Sequence, residues 1–295
     1  MKSTTASTQT IPPAPSGPAL RPARALIGWM VPAQAALCLA SGRADRQPDA
    51  ESLQKAETLR AGVAARPPWV DKTGVVTDAP ARVVAYGESL IQHPSVAPFF
   101  AQGWRVAVVD LSKTCAIQPL VFCDGLERIS TAHASDLLSL AVISLPTPAP
   151  DPTPAQFDSF KQAWVFSSLN PNLRITGQAG GQIQPGVSAF GFAVGVTSSY
   201  MQVVCCRGRH LLRDGYHRAF AFLRSGITHV PAFVRHVATI DEMLLPPGLL
   251  GSDVFLGDRP PLLTDYDNDD VSSDVLAPAT RKVVIVQGME ISMLG

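Results

Sequence analysis

The stretch from Leu212 to Arg235, LRDGYHRAFAFLRSGITHVPAFVR, passes from strand pattern to helical spacing and back, which constrains the fold more than any other part of the chain. Arg209 to Arg213 should run as a strand into Asp214-Gly215. From Tyr216 the apolar spacing is helical until Gly226, a good C-terminal stop, and HVPAFVR then has strand character. At 100° per residue, Tyr216, Ala219, Phe220 and Leu223 share one face and predict the core-packing stripe. Arg218 and Ala221 point the other way, which predicts a face open to a ligand.

The chemistry expected at this turn is anion binding. A helix N-terminus presents free N–H groups and the positive end of its dipole, and Gly215 lets a phosphate approach the backbone. Arg218 can hold phosphate oxygens bidentately, Ala221 leaves room beside it, and His217 can donate to the same anion. The competing reading is plainer: Asp214 caps the helix, Asp-Gly is a turn, and Arg218 is a solvated arginine.

Outside this segment, composition mainly excludes. The chain has 295 residues, 46% hydrophobic and 16% charged, which is ordinary for a globular protein. Lys plus Arg equals Asp plus Glu at 24 each, so no global field favours a nucleic acid backbone or an anionic membrane. Cys38, Cys115, Cys123, Cys205 and Cys206 form no CxxC pair and suggest neither a disulfide framework nor a zinc site; they read as core thiols in a reducing compartment. The apolar run Ala25 to Ala40 is shorter than the roughly 20 residues a spanning helix needs. It also contains Pro32 and Gln34, and reads as a first core helix of a cytoplasmic protein.

The expected fold class is α+β, a small sheet with packed helices and an N-terminal helical extension. Residues 1–24 are rich in Ser, Thr, Ala and Pro and predict a disordered arm. A helical extension follows over 25–75, then a main domain over 76–245 with an insertion around 125–185, then a C-terminal extension over 246–295. Within the main domain, Val83-Val84 suggests a short strand and WRVAVVDL, from Trp104 to Leu111, a strand buried on both faces. Residues 156–169 have helical spacing through Phe157, Phe160, Trp164 and Val165 or Leu169, and Asn170-Pro171 ends that helix. Trp164 with Asn170-Pro171-Asn172-Leu173-Arg174 forms a second constellation, read as a helix stop with Trp164 in the core. Gly177, Gly180, Gly181 and Gly186 mark a loop. The acidic run Thr264 to Asp270 lacks the glycine and glutamate of a calcium loop and reads as a solvated surface loop, followed by a last strand, RKVVIVQ.

The run Gly215-Tyr216-His217-Arg218-Ala219-Phe220-Ala221 resembles the GxxRxxA box of the ParB and sulfiredoxin superfamily. Its flanks are similar too: a strand before it, and a glycine followed by Val230-Pro231-Ala232-Phe233-Val234 after it. Upstream, Val108-Val109-Asp110-Leu111 with Gln118-Pro119 resembles the first strand and Gln-Pro turn of such domains. The resemblance implies a site for the phosphates of ATP or CTP, with magnesium, and carries a phosphate role to Gly215, His217 and Arg218. The candidate binding set is Asp214, Gly215, Tyr216, His217, Arg218 and Ala221.

The departures narrow the expected function. Tyr216 stands where sulfiredoxins place their cysteine nucleophile, so sulfinic acid repair is not expected. No helix-turn-helix pattern follows His236, so neither is a chromosome-partition role. The DGxHR form is similar to the free serine kinases of the superfamily, which use an acidic base; Glu88, Asp110 and Glu127 are candidates, and nothing in their spacing selects one. Two functions follow: a nucleotide-dependent phosphotransferase, or a non-enzymatic nucleotide-responsive or degenerate binding module. DNA binding or nuclease activity is disfavoured by the balanced charge.

Overall fold

The structure is a computed structural model that describes residues 19–41, 47–93, 96–124, 136–148, 154–168, 170, 172–243, 245–279 and 282–288. In chain order the elements begin with β1 (Leu20–Ala25), α1 (Pro32–Ala40), α2 (Ala50–Ala64), β2 (Val76–Asp78), α3 (Ala81–Leu90) and α4 (Ala97–Ala101). Next come β3 (Arg105–Asp110), β4 (Cys115–Ala116), β5 (Leu120–Phe122) and α5 (Leu137–Ser144). The insertion supplies β6 (Ala155–Asp158), β7 (Ala163–Ser168), β8 (Leu173–Gln184) and β9 (Val187–Val196). The chain then forms β10 (Gln202–Cys206), β11 (Arg209–Asp214), α6 (Tyr216–Arg224), β12 (His229–His236), α7 (Ser252–Phe255), β13 (Ser273–Pro278) and β14 (Lys282–Gln287). The fold is mixed α+β, as expected.

The central sheet has the order β2-β3-β12-β10-β11-β4. Three of its inner strands, β3, β10 and β12, are largely apolar runs without alternation and are buried along nearly their whole length, as strands covered on both faces must be, whereas β11 is polar at both ends and buried at Leu211 and Leu212. The β10–β11 hairpin feeds α6, which returns the chain to β12; β12 pairs parallel with β10 and antiparallel with β3. The expected strand, turn, helix and strand are therefore all present, and they sit at the centre of the molecule.

A second sheet, β13-β1-β5, ties the two ends of the chain together, with β1 in antiparallel register with β13 from Leu20↔Pro278 to Ala25↔Ser273. Residues 20–24 of the expected disordered arm are thus strand, because a partner from the far end completes their hydrogen bonds; residues 1–18 lie outside the described residues. The expected helical extension holds α1 and α2, which pack on each other beside this sheet.

Three further expectations are corrected. Val83-Val84 lies in α3, where Val83, Gly87 and Leu90 are buried at helical spacing and Gly87 sits so close to Val106 that a Cβ there would collide with it. Residues 156–168 of the expected helix are no helix: β6 and β7 form a hairpin, turned at Gln162 with φ 49°, and β7 pairs on its other edge with β14. The glycines at 177, 180 and 181 lie within β8, which pairs with β9 in a long exposed hairpin, so the insertion runs on to Val196.

The acidic run is also not a solvated loop. Leu263–Asp267 is a short 3-10 helix in which Asp265 and Tyr266 are buried. Asp265 takes a bidentate pair from Arg66, and Arg24 donates to the Tyr266 carbonyl and to Asp269. Cations from the N-terminal extension draw the acids inward. Asp267, Asp269 and Asp270 remain exposed.

Candidate functional site

The turn between β11 and α6 is shaped first by packing. Gly215 is the residue before the helix, with φ +97°, and a Cβ there would stand 3.0 Å from the Met201 Cα. The left-handed backbone and the close approach of β10's neighbour both require glycine. The Asp214 carboxylate accepts from the Gly215 N–H at 2.6 Å and from the Ser199 hydroxyl at 3.1 Å, so it fixes the turn.

Tyr216 is buried and closes a network at the base of the helix. Its hydroxyl accepts from the Ile117 N–H at 2.8 Å and the Gln118 N–H at 3.2 Å, and donates to the Leu212 carbonyl. Burial pushes its ionisation well above the ordinary tyrosine range, so it stays a neutral donor. The Gln-Pro turn and the helix box are therefore joined directly by this phenol. Tyr266 donates to the Gln118 carbonyl and sets its ring edge-on to Tyr216 and Phe220.

Arg218 does not face an open ligand surface. Its guanidinium donates to the Ile143 and Ser144 carbonyls at 3.1 and 3.2 Å, and to the Ser199 carbonyl and hydroxyl at 2.8 and 2.9 Å. The Ile143 and Ser144 carbonyls lie at the C-terminal end of α5, where a cation also meets the negative end of the dipole, and the Ser144 carbonyl accepts the Met201 N–H as well, at 2.9 Å. Ala221 and Phe222 are buried as well, while Leu223 is half-buried. The expected ligand face is thus largely packed, because α6 is covered on more than the one side its apolar stripe indicates. Arg218 serves as a clamp between α6, α5 and the connection from β9 to β10.

His217 is the candidate residue that reaches the surface. Its imidazole stacks on Phe122 of β5, with centroids 5.7 Å apart and planes 7° from parallel. The Arg21 guanidinium lies 4.1 Å from the same Phe122 ring and forms a bidentate pair with Asp124. Desolvation lowers the His217 pKa and Arg21 adds to that, with Asp124 and Asp214 opposing. The imidazole and the first turn of α6 therefore share one place, with the Arg21–Asp124 pair beside the Phe122 ring. Ser199, Phe122, Arg21 and Asp124 were not legible as site residues; Ser198-Ser199 reads as a turn, and only the β1–β5 pairing brings Arg21 here.

Of the three candidate bases, the two that are described, Asp110 and Glu88, make no hydrogen bond into this turn. Asp110 is buried, caps the short helix Leu111–Lys113 through Ser112, pairs with Lys113 at 3.0 Å, and lies opposite His229 in the β3–β12 register. Burial works to raise its pKa, but the Ser112 and Lys113 hydrogen bonds outweigh it and hold the carboxyl below its ordinary value. Glu88 is exposed on α3, and Glu127 lies outside the described residues. Among the described residues, the acid hydrogen-bonded into the turn is Asp214.

The second constellation is local structure. Trp164 is half exposed on β7 and packs on Phe157, centroids 5.1 Å apart. It is not a core residue, because its strand lies in the peripheral sheet. Asn170 accepts from the Asn172 N–H, and Arg174 donates back to Asn172; Leu169 and Pro171 lie outside the described residues.

All five cysteines are free, and burial raises Cys38 and Cys205 to about 11 and Cys115 to about 12. Thiols held protonated in this way are poor nucleophiles. Among the described residues no group of three or more His, Cys, Asp or Glu is placed to hold a metal ion, and no helix is long and apolar enough to cross a membrane. No family model, curated protein or solved structure matches this chain.

Proposed function

We propose that this chain is a non-catalytic phosphate-binding module of ParB-like design, taking the phosphates of a nucleotide such as ATP or CTP at the start of α6. The observation that carries this is the surface position of His217 at the first turn of a helix, with Arg21 beside the same Phe122 ring. Helix N–H groups, the dipole and the His217 imidazole then address one anion, with Arg21, paired to Asp124, lending positive potential nearby.

Arg218 is the scaffold of this site rather than its phosphate ligand, since its donors are already spent on four acceptors. Asp214 stands beside the same turn and would repel a phosphate. A magnesium ion would offset that repulsion, because it binds through one or two carboxylates together with substrate phosphates. Asp214 is the residue that would hold it.

Calorimetry with ATP, CTP and GTP, with and without magnesium, tests the proposal. A nucleotide should bind more tightly with magnesium, and His217→Ala should weaken it by about tenfold, the loss of one strong hydrogen bond. Failure of all three to bind overturns the proposal. The phosphotransferase reading rests on Asp214 being the acid in the turn; nucleotide turnover that vanishes in Asp214→Asn would move the assignment to it.

A further inference from the structure

A groove of about 300 Å³, with no α6 residue in its lining, lies between the segment that follows α2 and the segment that precedes the 3-10 helix at Leu263–Asp267. Its lining includes Arg66, Trp69, Lys72, Arg259 and Leu262. Pro67, Pro68 and Pro260 complete an apolar wall with little conformational freedom left to lose. The two segments are fixed to each other: the Trp69 N–H donates to the Asp258 carbonyl at 2.6 Å, and the Arg259 Nε donates to the Arg66 carbonyl at 2.6 Å. Trp29 donates to the Arg259 carbonyl, also at 2.6 Å. The groove is therefore preformed.

Its charges are unequally matched. Asp265 is consumed by its bidentate pair with Arg66. The Asp71 carboxylate takes the Trp69 indole N–H at 2.8 Å and lies 3.9 Å from Arg209. Lys72 and Arg259 have no ion pair among the described residues. Lys72 rests 5.5 Å from the Trp69 ring centroid, and the terminal nitrogens of Arg259 carry no hydrogen bond among the described residues. Behind the indole, the largely buried Arg209 guanidinium stacks 4.3 Å from the same ring, and its Nη1 has no hydrogen-bond partner. A buried cation so incompletely satisfied adds positive potential to the groove.

We propose that this groove is a second binding site, for a small organic anion whose carboxylate or phosphate meets Lys72 and Arg259 while its apolar body lies along Trp69 and the prolines. The volume is that of a small-molecule pocket, and apolar walls with a few placed polar groups are what such pockets use. The unpaired cations supply the selection: a neutral compound with the same body leaves them as they are, whereas an anion gains a charge-assisted bond from each.

The test is a titration of the full chain labelled with 5-fluorotryptophan, read by fluorine NMR, with the Trp69 resonance assigned from Trp69→Phe. Phenyl phosphate and phenylacetate serve as anionic probes and phenol as the neutral one. Both anions should shift the Trp69 signal saturably and phenol should not. Lys72→Gln with Arg259→Gln should weaken the anions by about tenfold or more, the loss of charge-assisted bonds. The other tryptophan signals of that variant should stay in place, which shows that it folds. Absence of a saturable shift with either anion, equal binding of phenol, or an unchanged affinity in the double variant would overturn the proposal.

Discussion

At the scale of single residues, two side chains in the α6 box do work that sequence alone assigns differently. Arg218 reads as a phosphate ligand because an arginine one turn into a helix can reach an anion there. In the structure it meets the carbonyls of Ile143, Ser144 and Ser199 instead. Arg218→Met keeps much of the volume but takes a charged donor from those carbonyls, of which Ser144 keeps a second partner in the Met201 N–H, and should cost about 1–3 kcal/mol of stability in urea unfolding; an unchanged midpoint would return Arg218 to the ligand role. Tyr216→Phe is a smaller change with a related effect, since the Ile117 and Gln118 N–H groups lose their acceptor, and about 1–3 kcal/mol should be lost. His217 sets a pH dependence. Its pKa is lowered in the fold, so the unfolded chain binds the proton more readily, and stability should fall as pH drops below the ordinary histidine value near 6.5. His210, lowered by burial and by His236, acts in the same direction. His217→Gln should flatten part of that acid slope in thermal melts between about pH 7 and 5, and a slope identical to that of the unaltered chain would contradict the assignment.

At the scale of elements, the strands and helix of the site were legible and their surroundings much less so. β3, β10, α6 and β12 each carry a pattern with one solution: long apolar runs for covered strands, helical spacing with a glycine stop for α6. The misreadings fall where two periods fit. Val83-Val84 favours a strand by β-branching, yet Val83, Gly87 and Leu90 also mark one helix face, and packing against Val106 decides for the helix. Phe157, Phe160 and Trp164 fit a helix by spacing alone, but Phe160 sits at a hairpin turn, 95% exposed. The β8–β9 hairpin is the element with the most to explain in solution. Phe190 and Phe192 lie exposed on β9, Ile175 and Ile183 on β8, and Arg174 is its only charged residue. A long uncharged strand pair with exposed apolar side chains invites edge-to-edge association. Phe190→Lys should reduce concentration-dependent association in sedimentation or light scattering and leave the melting temperature within a degree or two, as a surface change on a peripheral element does; undiminished association would place the sticky surface elsewhere.

At the scale of the whole molecule, the ends of the chain are structural partners. β1 pairs with β13, Arg24 reaches Tyr266 and Asp269, and Arg66 holds Asp265. This is why an acidic run that looks solvated in sequence is partly buried, and why the extensions cannot be treated as appendages. Asp265→Asn leaves the Arg66 guanidinium without its counter-charge and should cost about 3–5 kcal/mol, the range for breaking a buried pair, discounted toward its lower end because Arg66 retains 25% side-chain exposure. Limited proteolysis should then cut the segment after α2 sooner. The same closure brings Arg21 to His217, so the proposed phosphate site depends on the N-terminal strand although its core lies in the central domain. The central claim is that His217, at the first turn of α6, meets a nucleotide phosphate while Arg218 holds the scaffold. The most direct measurement is the His217 ring pKa by NMR, with and without saturating magnesium ATP or CTP. A bound phosphate should raise that pKa, because a neighbouring anion favours the imidazolium. A His217 titration unmoved by either nucleotide would contradict the account.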